Sequence, residues 1–300
     1  MSAQSTPPMP SQAAPGGPAS RNGDSPEAVI FLHLPKTAGT TVNRLIEWEY
    51  PLKEMYSVDP VLFQWSAAHL RALPPERLKK IRMFKGHMAF GLHEVLPQRA
   101  TYITVLRDPV DRVISAFYFM RSYKLHPLYW KMRRENWTLE DFVRNAQRDN
   151  VQSKIVAGSK FEEPCTREIV ETAKNNLRRH FSVVGLSARL EESLALMKLR
   201  FGWKLSSYSS FNVTRSRPKK RDLPQATLDL IHQKNAFDIE LYECAEEIFD
   251  KAVQEKADKV KRIAGELEAA RSRSQGSLGA MLFNARSAAR KAVNRVYSAV

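Results

Sequence analysis

A lysine, a glycine and a run of threonines stand together in LHLPKTAGTT, residues 32–41, a combination suited to holding a phosphate. Gly39 lets the backbone approach a ligand closely. Thr40 and Thr41 supply hydroxyls and open a helix whose free N–H groups and positive dipole end favour an anion. Lys36 adds a mobile cation on the same loop, but it precedes the glycine, so the spacing departs from GxxxxGK[ST] and an ordinary Walker A loop fits poorly. A plain strand-to-helix turn with a capping threonine would use the same residues. A second anion site is legible in LRDPVDRVISAFYF, 106–119. There Arg107 can present a bidentate fork, and Ser115, about two helical turns on, can offer a hydroxyl to the same anion. The plainer account is that Asp108 caps a helix, Arg107 pairs with Asp108 or Asp111, and Ser115 is a packing residue. KGHMAFGLHEVLP, 85–97, contributes His87 and His93. An imidazole titrates near neutrality and so suits removal of a proton from an attacking hydroxyl. His33 lies inside an apolar run and is expected to be a hydrogen-bonded core histidine.

These residues need elements to hold them. AVIFLHL, from Ala28, is a nearly continuous apolar run, as expected of a strand buried on both faces of a parallel sheet, and TVNRLIEWEY after the loop predicts a helix. Short strands are expected at 81–84, 101–107 and 182–186. Helices are expected at 61–80, 110–123, 138–148, behind the strand at 182–186, and through 225–263. Strands alternating with helices predict an α/β fold in layers around a mostly parallel sheet. Residues 1–26, rich in Pro, Ser, Ala and Gly, have little to bury and are expected to be a disordered tail. The domain is expected over 27–263. Residues 264–300 are expected to form a basic amphipathic helical extension, with six Arg or Lys and no acidic residue over 271–300. The stripe at 276–300 fits an anionic lipid surface or a packed helix equally well.

Both phosphate motifs resemble those of the PAPS-dependent sulfotransferases, in the carbohydrate branch typified by heparan sulfate 2-O-sulfotransferase and its bacterial relatives. LHLPKTAGTT is similar to that family's 5′-phosphosulfate loop, and an arginine ending a strand with a serine eight residues later is similar to its 3′-phosphate motif. The resemblance covers roughly 28–250 and implies a P-loop-like three-layer fold with a central, mostly parallel sheet flanked by helices. It implies PAPS as donor and PAP as product, with no metal. Pro35, Lys36, Thr37, Ala38, Gly39, Thr40 and Thr41 would wrap the phosphosulfate, and Arg107 and Ser115 would hold the 3′-phosphate. The segment at 85–97 resembles the family's GHxxFG element, which assigns His87 as catalytic base beside Lys36 and His93 to support or acceptor binding. DNVQSKIVAG, 149–158, resembles its N-x-Q-T-R-x-L-x-G stretch, implying acceptor contacts from Asn150, Gln152 and Lys154. Ser153 and Lys154 replace the usual Thr and Arg, and Arg148 is a candidate to compensate. VVGLSARLEESL implies polar support from Glu192 and Ser193, and NVTRSRP, 212–218, implies donor contacts from Arg215 and Arg217.

The charge balance, 47 Lys and Arg against 32 Asp and Glu for a net +15, favours anionic partners without choosing among them. The acceptor is expected to be a glycan hydroxyl, with acidic saccharides fitting the charge. A kinase or other nucleoside-phosphate transferase should show a Walker lysine after the glycine and an acidic magnesium site, and neither is convincing. A nucleic-acid-binding protein would suit the charge, yet no helix-turn-helix, finger, RRM or KH signature is present, so no specific nucleic acid is expected. Two cysteines in unrelated contexts, no apolar leader and no apolar run long enough for a membrane span lead to the expectation of a cytoplasmic protein, with peripheral contact at the inner membrane face through 276–300.

Overall fold

The computed structural model describes residues 27–58, 69–205, 218 and 220–274. The expected tail at 1–26, residues 61–68 of the helix expected at 61–80, Arg215, Arg217 and the stripe at 276–300 lie outside the described residues, and the described remainder of that helix is interrupted at Pro74. Five strands, β1 (Ala28–Leu32), β2 (Met55–Val58), β3 (Met83–Gly86), β4 (Ala100–Leu106) and β5 (Phe181–Leu186), form one sheet in the order β2-β3-β1-β4-β5. Every pairing is parallel. All five residues of β1 are buried, as its unbroken apolar run requires of a strand covered on both faces. The short edge strand β2 carries no such run, and only its pairing with β3 reveals it.

The helices follow as α1 (Gly39–Glu49), α2 (Pro75–Leu78), α3 (Pro109–Ser122), α4 (Tyr129–Arg134), α5 (Leu139–Asn145), α6 (Val151–Ala157) and α7 (Arg167–His180). After β5 come α8 (Leu190–Phe201), α9 (Gln225–Lys234), α10 (Ala236–Gln254) and α11 (Ala257–Ser274). The helical stretch expected over 225–263 is divided among three helices, the last of which runs on to Ser274. The expected boundary at 264 falls inside α11, because its buried positions Val260, Ile263, Leu267 and Ala270 keep helical spacing across that point. Ile263 and Leu267 belong to the same core as the sheet, and Arg271 pairs with Glu191 of α8 at 2.7 Å. The sheet and its flanking helices share one core. A second, helical core of Val113, Phe117, Met132, Trp137, Phe142 and Ile231 anchors α3, α4, α5 and α9 together.

β1 sits between β3 and β4, with Leu32 opposite Gly86 and Phe31 opposite Ile103. The chain therefore leaves all three strands at one edge of the sheet, beside the point where the strand order reverses, which is where open α/β sheets form their crevice. Gly86 closes β3 with φ of 142°, and a Cβ there would stand 2.3 Å from the Val58 carbonyl oxygen of β2. Gly86→Ala is therefore expected to lower the unfolding free energy by at least about 2 kcal/mol, since strain and backbone overlap add. Urea unfolding of the variant checks this, and an unchanged midpoint would contradict it.

Candidate active site

The loop after β1 is held in a strained shape. Lys36 and Ala38 both have positive φ, 70° and 69°, a region non-glycine residues enter at a cost of order 1–3 kcal/mol each. Thr37 pins the turn by donating its hydroxyl to the Leu34 carbonyl at 2.9 Å, and the Thr41 N–H reaches back to the Ala38 carbonyl at 3.0 Å. Ala38 supplies no side-chain cap to α1. The start of a helix without a side-chain cap is an arrangement that suits an anion. Gly39 is required here by proximity: a Cβ would fall 1.9 Å from the His33 ring.

Arg107 follows β4 and connects this loop to the second motif. Its Nη1 donates to the Lys36 carbonyl at 3.1 Å. Its backbone is gripped by the Gln152 side chain, which accepts from the Arg107 N–H at 3.0 Å and donates to the Arg107 carbonyl at 2.9 Å. Asp108 caps α3 by accepting from the Asp111 N–H, and Lys220 stands 3.3 Å from it. Ser115 lies half-buried on α3 about two turns after Arg107. Lys36 extends its ammonium over the Phe119 ring of the same helix, 3.9 Å from the centroid.

His87, the first residue beyond β3, places Nδ1 2.8 Å from the His33 carbonyl oxygen. A carbonyl only accepts, so Nδ1 carries the hydrogen and Nε2 is left with its lone pair, the tautomer a general base needs. The His33 ring stacks on it at 4.1 Å, and the Asn43 amide lies 3.2 Å from His33 Nδ1. Burial first, then the nearby His87, Lys85 and Lys36, hold the His33 pKa well below the ordinary 6.5. His33 is therefore the core histidine expected, neutral and in contact with the candidate base.

The remaining expected site residues separate. His93 sits under an aromatic cluster, its Nδ1 3.0 Å from the Tyr102 hydroxyl and its ring 5.0 Å from that of His180. Burial pushes the Tyr102 phenol up to about 12 and lowers the His180 pKa. Asn150 and Gln152 face the protein: the Asn150 amide accepts from the Asp238 N–H at 3.0 Å and donates to the Lys234 carbonyl at 3.1 Å. Asp238, fully buried, accepts from the N–H groups of Gln152 and Ser153 at the start of α6 and from the Ser153 hydroxyl. Arg112 of α3 faces it at 3.7 Å. Lys154 is buried too, 3.4 Å from Asp149, and burial lowers the pKa of neighbouring Arg148. Glu192 pairs with Arg189, and Ser193 accepts from the Leu186 N–H, closing the end of β5.

Sequence reasoning passed over Lys85 and Glu47. They form a buried ion pair, 2.7 Å apart with side chains 5% and 7% exposed, joining β3 to α1 two residues before His87. Asn43 and Glu47 share one face of α1 at i and i+4, and that spacing is the signal that could have found them.

A model of the galactose-3-O-sulfotransferase family matches residues 2–294. Heparan sulfate 2-O-sulfotransferase hst-2 of Caenorhabditis elegans is 24% identical over 267 residues, covering 78% of this chain and 81% of that protein. Galactose-3-O-sulfotransferase 3 of Mus musculus is 26% identical over 278 residues, and galactosylceramide sulfotransferase of Bos taurus is 25% identical over 263. These cover 82% and 77% of this chain, which spans only 62% and 61% of those two proteins.

Removing one member of a buried ion pair strands the other, at about 3–5 kcal/mol. Glu47→Leu and Lys85→Met are each expected to destabilise by that order, and the double variant Glu47→Leu/Lys85→Met by much less than the sum. Thermal and urea unfolding of the cycle measure it, and strict additivity would show that the pair does not act as a unit.

Proposed function

The chain belongs to the galactose-3-O-sulfotransferase family, and from that premise we propose that it transfers a sulfuryl group from PAPS to a hydroxyl of a carbohydrate acceptor. The observation that carries this is the Arg107 bond to the Lys36 carbonyl, which puts the two anion cradles within one side chain's reach. A donor with phosphate groups at both ends of a nucleoside needs two such cradles facing one pocket. The strained loop of Lys36 and Ala38, the open first turn of α1 and the close approach at Gly39 fit the 5′ end; Arg107 and Ser115 fit the 3′-phosphate.

PAPS supplies an activated sulfuryl group and leaves as PAP. The chain's own contribution is proton removal and charge stabilisation. Nε2 of His87 takes the proton of the acceptor hydroxyl as that oxygen bonds to sulfur, while Nδ1 stays fixed on the His33 carbonyl. Lys36, with its flexible stem, and the loop N–H groups hold the charge that collects on the departing phosphate oxygen. Gln152 and Asn150 act as positioning residues: Gln152 fixes the Arg107 backbone, and Asn150 ties α6 to Asp238. The net charge of +15 is compatible with an acidic saccharide as acceptor.

In a thermal-shift panel of PAP, ATP, ADP and AMP, PAP is expected to stabilise selectively, and equal shifts from all four would remove the donor assignment. His87→Ala is expected to lower kcat by at least about 10²-fold while PAP affinity stays within a factor of about two. Lys36→Ala should reduce both turnover and PAP binding. A fully active His87→Ala protein would take the imidazole out of the mechanism.

A further inference from the structure

The segment from the end of α3 through α4, residues 121–134, exposes Leu125 by 81%, Trp130 by 68% and Tyr123 by 42%. It also carries Arg121, Lys124, Lys131, Arg133 and Arg134 and no carboxylate. Glu135 follows the segment and stands 3.6 Å from Arg134, while Arg121, Lys124, Lys131 and Arg133 share their segment with no carboxylate; exposed rings beside such a run of cations form neither a core nor an ordinary solvated face. The patch is anchored from below: Tyr129 and Met132 are buried beneath it, Met132 within the helical core, and the Trp130 ring meets Tyr129 edge-on at 5.0 Å. It is also joined to the candidate active site. Lys36 lies over Phe119, and Phe119 stacks on Tyr123 with centroids 5.3 Å apart, so two ring contacts lead from the phosphosulfate loop to the exposed surface.

We propose that this aromatic and basic surface is the acceptor platform, and that it takes an acidic oligosaccharide whose sugar faces lie on Tyr123 and Trp130 while its carboxylate or sulfate groups meet Arg121, Lys124, Arg133 and Arg134. The proposal rests on placing Lys36 beside the transferred group. Charge complementarity selects an anionic chain. The rings add what charge alone lacks, a flat apolar surface for the C–H face of a pyranose with polar edges left in water.

The test uses the full chain, with and without saturating PAP, titrated with a sulfated, uronate-containing oligosaccharide, a neutral oligosaccharide of equal length, phosphatidylserine vesicles and single-stranded DNA. Trp130→Ala and Tyr123→Ala leave the net charge unchanged, and each is expected to weaken the acidic oligosaccharide about tenfold without altering PAP affinity. Arg133→Ala/Arg134→Ala should weaken it further and reduce its salt dependence. Trp130 is largely exposed, so its replacement is expected to leave the melting temperature in place. Wild-type affinity for the acidic oligosaccharide that is undetectable, equal to that for the neutral one, or unchanged in both ring variants would overturn the proposal. Ring variants that lose only vesicle or DNA binding would also overturn it. Failure of PAP to bind would count against the donor assignment alone, because the saccharide titration without PAP still decides the platform.

Discussion

Parallel pairing of β1 between β3 and β4 is the constraint from which the candidate site follows. Leu32 lies opposite Gly86, and the Thr104 hydroxyl of β4 donates to the Leu32 carbonyl at 2.8 Å, locking the three strand ends level. The loop at 33–38, His87 and Arg107 then emerge side by side although they are far apart in the chain. Were any of these strands antiparallel, its site residue would emerge at the opposite edge. A slip of one residue would turn buried side chains to the other face.

Two buried polar assemblies hold the emerging residues in place. One gathers around Asp238, where α10 meets the start of α6 and Arg112 of α3, and it reaches Arg107 through Gln152. The other runs along α1, where Asn43 meets His33 and Glu47 meets Lys85, directly beneath His87. Buried ionic groups are weak contributors to net stability because desolvation offsets their attraction, but a misplaced partner is costly. A displacement of β3 against α1, or of α6 against α10, would leave one of these buried groups without its partner.

Electrostatics divides the labour between the two stacked histidines. Two imidazolium rings 4.1 Å apart and close to Lys36 and Lys85 would repel strongly. Burial resolves the conflict by keeping His33 neutral, so that in the proposed mechanism only the ring in contact with it takes up a proton. His33 thereby orients its neighbour through a backbone carbonyl and a ring face. The Lys36 ammonium rests against Phe119, an arrangement that keeps a flexible cation near the loop without burying its charge.

The sequence alone determined the local features: the apolar run of β1, the turn chemistry of PKTAGTT, the Asp108 cap before α3, and histidine types suited to proton transfer. These depend on neighbours within a few residues, so spacing and residue type suffice to read them. It also put Lys36, Arg107 and His87 at the ends of expected strands, which is most of the candidate site. Tertiary structure decided what those signals cannot carry. It turned the amides of Asn150 and Gln152 onto Asp238 and Arg107, because an amide suited to a sugar hydroxyl is equally suited to a backbone group. It ran α11 past residue 264, since a helix ends where its packing ends. It joined Glu47 to Lys85 across 38 positions and stacked His87 on His33. Such partners are chosen by which strands lie side by side, and that choice is made by burial summed over the whole sheet rather than by any short stretch of chain.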